Sequence, residues 1–257
     1  MAAILRVPGV EAHVREAFSP PPGHETADAI SPDGPGAGTV HHRPDAFPGP
    51  EHFVASGRSQ LTYGMRVGLI SDTHIPESRP ELWPQVFDAF RGVDCILHAG
   101  DIHELHVIDQ LHEVAPTWAA RGNGEEGSGG RPVQPDHPLL RESWLLDLDG
   151  LKVGLTHDVP IPEYPPHLTL ERAMQRYFGT TELDVLIYGD THVEAIDTVQ
   201  GVLCVNPGSP TYPRNLDTQL GTIGFLEINN GKAEATIWQL TETGIEPFNW
   251  SKWRRPW

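Results

Sequence analysis

The chain has little basic charge, almost no cysteine and no long apolar run. Its 257 residues hold 18 Lys and Arg against 35 Asp and Glu, a formal charge of −17. That balance favours solubility and argues against nucleic acid or an anionic membrane as a partner. No stretch reaches the ~18 uninterrupted apolar residues of a membrane helix. The opening MAAILRVPGVEAHVREAF lacks the basic lead-in and apolar length of a signal peptide. Cys95 and Cys204 sit in separate apolar runs with no CxxC partner. They are expected to be buried small hydrophobes in a reducing cytoplasm.

What is present divides unevenly. Residues 1–64 are dense in Pro, Gly, His and acids, as in SPPPGHETADAISPDGPGAGTVHH, without apolar periodicity. Such a stretch cannot bury enough surface to offset its ordering entropy, so a disordered extension is expected. Met65 then opens an apolar strand pattern and is the expected natural start. One domain is expected over 65–248, with 249–257 as a C-terminal tail.

From Met65 the pattern alternates. MRVGLIS, VDCILHAG and APTWAARG read as short buried strands. Between them, PELWPQVFDAFRG reads as a helix starting at Pro80, and HELHVIDQLHEVA as a second with Val107, Ile108 and Leu111 on one face. GNGEEGSGGRPVQPDHPLL is a long loop of the kind that often carries function. SWLLDLDGLKVGLTHD has hairpin character around Asp149-Gly150. A helix with Leu170, Ala173, Met174, Tyr177 and Phe178 on its apolar face follows, then LDVLIYGD and a strand-rich remainder. The class is α/β, and two face-to-face sheets with helices outside accommodate both halves.

The apolar runs end in a regular way. Asp72 with His74, Asp101, Asn123, His157, and Asp190 with His192 each close one, beside Gly, Ser or Thr. A single Asp at a strand end usually caps a turn. Five such endings at the same edge of adjacent strands point instead to a site. The triplet Asp-Thr-His occurs twice, at 72–74 and 190–192, with flanks that share little. Residues two apart on an extended chain face one side, so each triplet can present an oxygen and an imidazole nitrogen to one cavity. Two strand ends facing one site is the reading, rather than a repeat.

The ordered series SDTH, Gly100-Asp101, Gly122-Asn123, THD at 156–158, GDTH and NPGS at 206–209 resembles the calcineurin-like metallophosphoesterases, and most of all their small single-domain bacterial and archaeal phosphodiesterase branch. The resemblance spans about Met65 to Leu240. It implies a four-layer α-β-β-α sandwich and two divalent ions as cofactors. Asp72, His74 and His192 would hold one ion, Asp101 would bridge, and Asn123 and His157 would hold the second. The family usually carries GHTH where this chain has GDTH, so Asp190 stands in place of a histidine ligand. Larger relatives also place a proton-donating histidine after the Gly-Asn, where this chain has Gly124, so there is no obvious general acid.

The implied chemistry is metal-dependent hydrolysis of a small-molecule phosphate ester, most of all a phosphodiester. A metal-bridging hydroxide held at Asp101 and Asn123 would attack phosphorus in line. Mixed O/N ligation without thiolate suits Mn, Fe, Zn or Ni. Asp190 makes the three carboxylates contribute about −3 against +4 from two ions, which should retune the site rather than abolish it. The alternative is a non-catalytic scaffold on the same fold, since one eukaryotic branch serves in a membrane-coat sorting complex. A homo-oligomer is compatible with either. Beyond the ligand set, His98 is expected in a supporting role, and His103, His106 and His112 on a solvated helix face. Arg121 and Arg214 are candidates for phosphate contact or surface ion pairs. Glu125 or Glu126 is a candidate proton relay, and Asn206 and Ser209 are expected to shape a turn.

Overall fold

The computed structural model describes residues 10–12, 64–215 and 220–253. Apart from Val10–Ala12, the extension read over 1–64 lies outside the described residues up to position 63.

Among the described residues, thirteen strands form two mixed sheets. The first carries β2 (Met65–Ile70), β3 (Cys95–His98), β4 (Thr117–Ala120) and β5 (Leu140–Arg141) in parallel. It continues from β2 through antiparallel β11 (Thr222–Asn229), β12 (Lys232–Thr241) and β13 (Gly244–Pro247). The second runs β1 (Val10–Ala12), β6 (Trp144–Leu148), β7 (Leu151–Leu155), β8 (Val185–Ile187), β10 (Val202–Asn206) and β9 (Ala195–Val199). The Asp149-Gly150 hairpin joins β6 to β7 as expected, with both residues at positive φ. The pairing of Val10–Ala12 with Leu146–Leu148 was not legible in the sequence. Three residues carry no period, and only the waiting edge of β6 makes them a strand.

The helices α1 (Pro84–Ala89), α2 (His106–Val114) and α3 (Leu170–Phe178) complete the layers. The first begins at Pro84, not Pro80. A helix from Pro80 would place Pro84 inside it, where the ring clashes and the missing N–H breaks the ladder. The third is capped by Thr169, whose side chain accepts from the Arg172 amide, and ends on left-handed Gly179.

The core follows these layers. Val67, Leu69, Cys95 and Leu97 of one sheet meet Leu146, Val153, Leu155, Val185 and Ile187 of the other. On the outer face of the first sheet, Ile70 and Ile96 pack with Val86 of α1 and with Val107, Ile108 and Leu111 of α2. On the outer face of the second, Leu186, Val202 and Cys204 pack with Leu170, Met174 and Phe178 of α3. The result is the expected α-β-β-α sandwich. Both cysteines are buried and free, their thiols pushed up to about 12 by burial. In the stretch read as a tail, Trp253 packs against the inter-sheet core, and its indole donates to the Glu194 carbonyl at 3.0 Å.

Candidate metal centre

Strands β2, β3 and β4 run parallel, as do β7 and β8, so their C-terminal ends gather the five acid-and-histidine loops. The two sheets meet tightly there. The His157 ring, after β7, meets the Ala99 carbonyl oxygen, after β3, at 2.7 Å. A Cβ on Gly189 would lie 2.6 Å from the Ala99 carbonyl oxygen, so no side chain fits at that crossing.

The loops do not present their side chains by extended alternation. Asp72 (φ +53), His74 (+46), Asp101 (+53), Asp190 (+68) and His192 (+58) are all left-handed. Such a backbone costs a non-glycine residue roughly 1–2 kcal/mol and persists only where surroundings enforce it. The enforcement is visible. The Asp72 amide donates to Gly100 O, and that of His74 to Asp101 O. Ser209 Oγ donates to Asp72 O at 2.7 Å and Thr211 Oγ1 to Thr73 O at 2.6 Å. Asn206 Nδ2 spans Gly189 O and Thr191 Oγ1, so the 206–209 turn braces both triplets, as the sequence suggested.

All seven sequence-derived candidates converge. Donor atoms of Asp72, His74, Asp101 and His192 lie within 4.8 Å of one another. Beside them, His157 Nε2 is 3.3 Å from Asn123 Oδ1, 3.4 Å from Asp101 Oδ1 and 3.7 Å from Asp190 Oδ1. Asp101 joins the two groups, with Oδ2 3.2 Å from His74 Nε2. Asn123 is exposed, while the histidines, Asp72 and Asp101 are buried. His157 Nδ1 donates to Ala99 O at 2.7 Å, and His192 Nδ1 to Tyr212 O at 2.8 Å. In each ring that bond leaves Nε2 turned to the acids, the tautomer a metal-bound imidazole takes.

Burial pushes Asp72 up to about 6, with the Asp101 charge adding to it against the pull of His157. Burial likewise pushes Asp190 up to about 6, aided by Asp72 and Asp101. Burial also acts on Asp101, but the His157 charge, the His74 side chain and the Gly124 amide outweigh it and hold its carboxyl below the usual range. His157, opposed by burial, is raised to about 9 by Asp101, Asp72 and Asp190. Burial and the neighbouring His74 lower His192 to about 4. Crowded carboxylates of this kind call for positive charge among them.

Several neighbours differ from expectation. His103 lies before α2 at φ +73, buried, with its ring centroid 4.2 Å from that of His74. The helix period placed it on a solvated face, but the Asp101 turn carries it inward before the helix begins. Glu125 is a brace rather than a relay: its buried carboxylate accepts the amides of Asp101, Ile102, His103 and Gly122. Arg121 spends its guanidinium on the Gln134 and Pro135 carbonyls, so it is not directed at the cluster. Exposed Arg214 hydrogen-bonds Tyr164 at the rim. His98 supports the site as expected, accepting from the Gly100 amide at Nδ1 and meeting Thr73 Oγ1 through Nε2. Half-exposed Tyr212, absent from the sequence-derived set, stands 5.2 Å from the His192 ring.

A model of the calcineurin-like phosphoesterase superfamily domain matches residues 65–231. The chain belongs to this family. A probable metallophosphoesterase of Methanothermobacter thermautotrophicus is 37% identical over 175 residues, 67% of this chain and 91% of that protein. A phosphodiesterase of Methanocaldococcus jannaschii is 26% identical over 63% of this chain and 93% of its own length. Among solved structures, Vacuolar Protein Sorting 29 of Cryptosporidium parvum superposes with a TM-score of 0.56 at 18% identity, covering 72% of this chain and 95% of that one. The zinc complex of Entamoeba histolytica Vps29 gives 0.53 at 23%, covering 71% and 96%. These two likenesses show the shared fold. Within this family, the cluster described above is a set of Asp and His side chains able to hold metal.

Proposed function

We propose that the cluster holds two divalent cations and hydrolyses phosphate esters, with small-molecule phosphodiesters as the substrate class. The observation that carries this reading is the placement of Asp101. One of its carboxylate oxygens faces His74 and the other faces His157, as a carboxylate shared by two cations requires. Asp72, His74, Asp101 and His192 would hold one ion, and Asp101, Asn123, His157 and Asp190 the other.

The donors fit such ions. Two histidines have Nδ1 tied to carbonyl oxygens, and buried His74 Nε2 faces the Asp101 carboxylate at 3.2 Å. Nitrogen and oxygen donors without thiolate suit Mn, Fe, Zn or Ni. When bound, the ions supply an activated water and neutralise phosphoryl charge.

The protein's own groups do the rest. Left-handed turns braced by Ser209, Thr211 and Asn206 hold the carboxylates in place before substrate arrives. Exposed Asn123 can reach a substrate oxygen from the rim. Gly124 offers no proton, so esters with acidic leaving groups should turn over fastest. Two buried thiols without a disulfide fit a cytoplasmic setting.

Metal analysis of the purified protein, with phosphodiester and phosphomonoester assays and an Asp72→Ala control, tests the reading. Turnover that requires both metal and Asp72 supports it. Less than about one cation per chain, with no Asp72-dependent turnover, would instead leave a scaffold on the same fold.

A further inference from the structure

His74 belongs to a second cluster. One donor atom each from His74, Glu77 and His103 lies within 4.8 Å of the others. Among the described residues, both ring nitrogens of His103 are buried and make no hydrogen bond, and buried His74 Nε2 faces Asp101 Oδ2 at 3.2 Å. A buried polar atom left unpaired costs about 1–3 kcal/mol, and two such atoms on one ring call for a missing partner.

The spacing suggests what that partner is. His103 Nδ1 is 3.7 Å from Glu77 Oε1, too long for a hydrogen bond. Two ligands ~2.1 Å from a tetrahedral ion stand about 3.4 Å apart, so the gap is close to a ligand-to-ligand span. The two imidazoles meet edge-on at 63°, not stacked.

The arrangement is built rather than incidental. The His103 amide is pinned to Glu125 Oε1 at 2.7 Å, and the His74 amide to Asp101 O at 3.0 Å. Gly124 leaves the space the ring needs, since a Cβ there would lie 2.5 Å from His103 Nε2. Glu77 is 47% exposed and opens the cluster to solvent. Its carboxylate is held by Arg131, Nε to Oε1 at 2.6 Å and Nη2 to Oε2 at 2.7 Å. The guanidinium thus sits where positive charge is wanted. A carboxylate with about four acceptor positions can keep one arginine bond while it binds an ion.

We propose that His74, Glu77 and His103 form an auxiliary site for a divalent cation of the zinc class, distinct from the seven-residue cluster but sharing His74 with it. One imidazole nitrogen serves one ion, so filling this site draws on a ligand of the neighbouring cluster. If that cluster is the hydrolytic centre proposed above, excess zinc lowers turnover through His74. The auxiliary site itself does not depend on that reading.

The test is equilibrium dialysis of the full-length, metal-free chain against Zn²⁺, with Co²⁺ absorption spectra in parallel. Wild type should bind one equivalent more than His103→Gln and Glu77→Gln, or hold its last equivalent about tenfold more tightly than they do. Their Co²⁺ spectra should lose one component. Inhibition by excess zinc should be relieved in both variants. Glu77 is half-exposed, so its variant serves even if His103→Gln fails to fold. Unchanged stoichiometry, affinity and spectra in Glu77→Gln would overturn the proposal. Asp72→Ala separates the two readings, because it should remove equivalents of the main cluster only.

Discussion

The two Asp-Thr-His triplets share residues and backbone but not surroundings. At 72–74 the acid is wholly buried and accepts from Ser71 Oγ at 2.7 Å and the Asp190 amide at 3.2 Å, while His74 Nε2 faces Asp101 Oδ2 at 3.2 Å. At 190–192 the acid side chain is 23% exposed, whereas His192 is anchored to the Tyr212 carbonyl. The first triplet fixes its carboxylate and the second fixes its imidazole. The same three residues thus serve complementary ends of one cluster, and the acid at 190 is more open to water than the acid at 72.

The largest test of this contrast is to remove each acid in turn. Asp72→Ala should cost about 10³-fold or more in kcat/KM together with bound metal, and Asp190→Ala markedly less. Equal losses would break the comparison. The bracing of each triplet comes next. Glu125→Gln turns an amide nitrogen toward backbone donors behind the Asp101 loop and should lower unfolding free energy by about 3 kcal/mol. Asn206→Ala removes three bonds, two of them behind the second triplet, and should cost about 2 kcal/mol, both read by chemical denaturation.

A smaller effect concerns pH. Asp72 and Asp190 are both raised to about 6, so below that pH protons occupy the oxygens a cation needs. Metal affinity measured by competition titration should fall about a hundredfold from pH 7 to pH 5. Near pH 7 both acids are largely ionised and the loss disappears. Asp190→His tests the exchange itself. Removing one negative charge should raise turnover about tenfold while loosening the adjoining cation. Tighter metal with unchanged turnover would contradict the electrostatic account.

Much of the site was legible because strand ends are local features. An apolar run ending in Asp, Asn or His can be read without knowing its partners, and all seven candidates proved to be neighbours. The layer order was legible too, since helix and strand periods report which faces are covered. Val10–Ala12 was not legible, nor was the inward turn of His103. Each depends on a distant edge or loop, β6 in one case and the Glu125 carboxylate in the other. Glu125 resembled a proton relay because its residue type says nothing of the four amides around it.

The sequence by itself determined the alternation of strands and helices, the covering of both sheets, and the acids and histidines at the strand ends. These follow from side-chain period and residue chemistry, which act within a few positions. Only the tertiary structure decided how the two triplets differ, that left-handed turns rather than extended strands aim their side chains, and that His103 stands beside His74. Those outcomes depend on hydrogen bonds between loops far apart in the chain, formed once the two sheets pack and their strand ends are brought together.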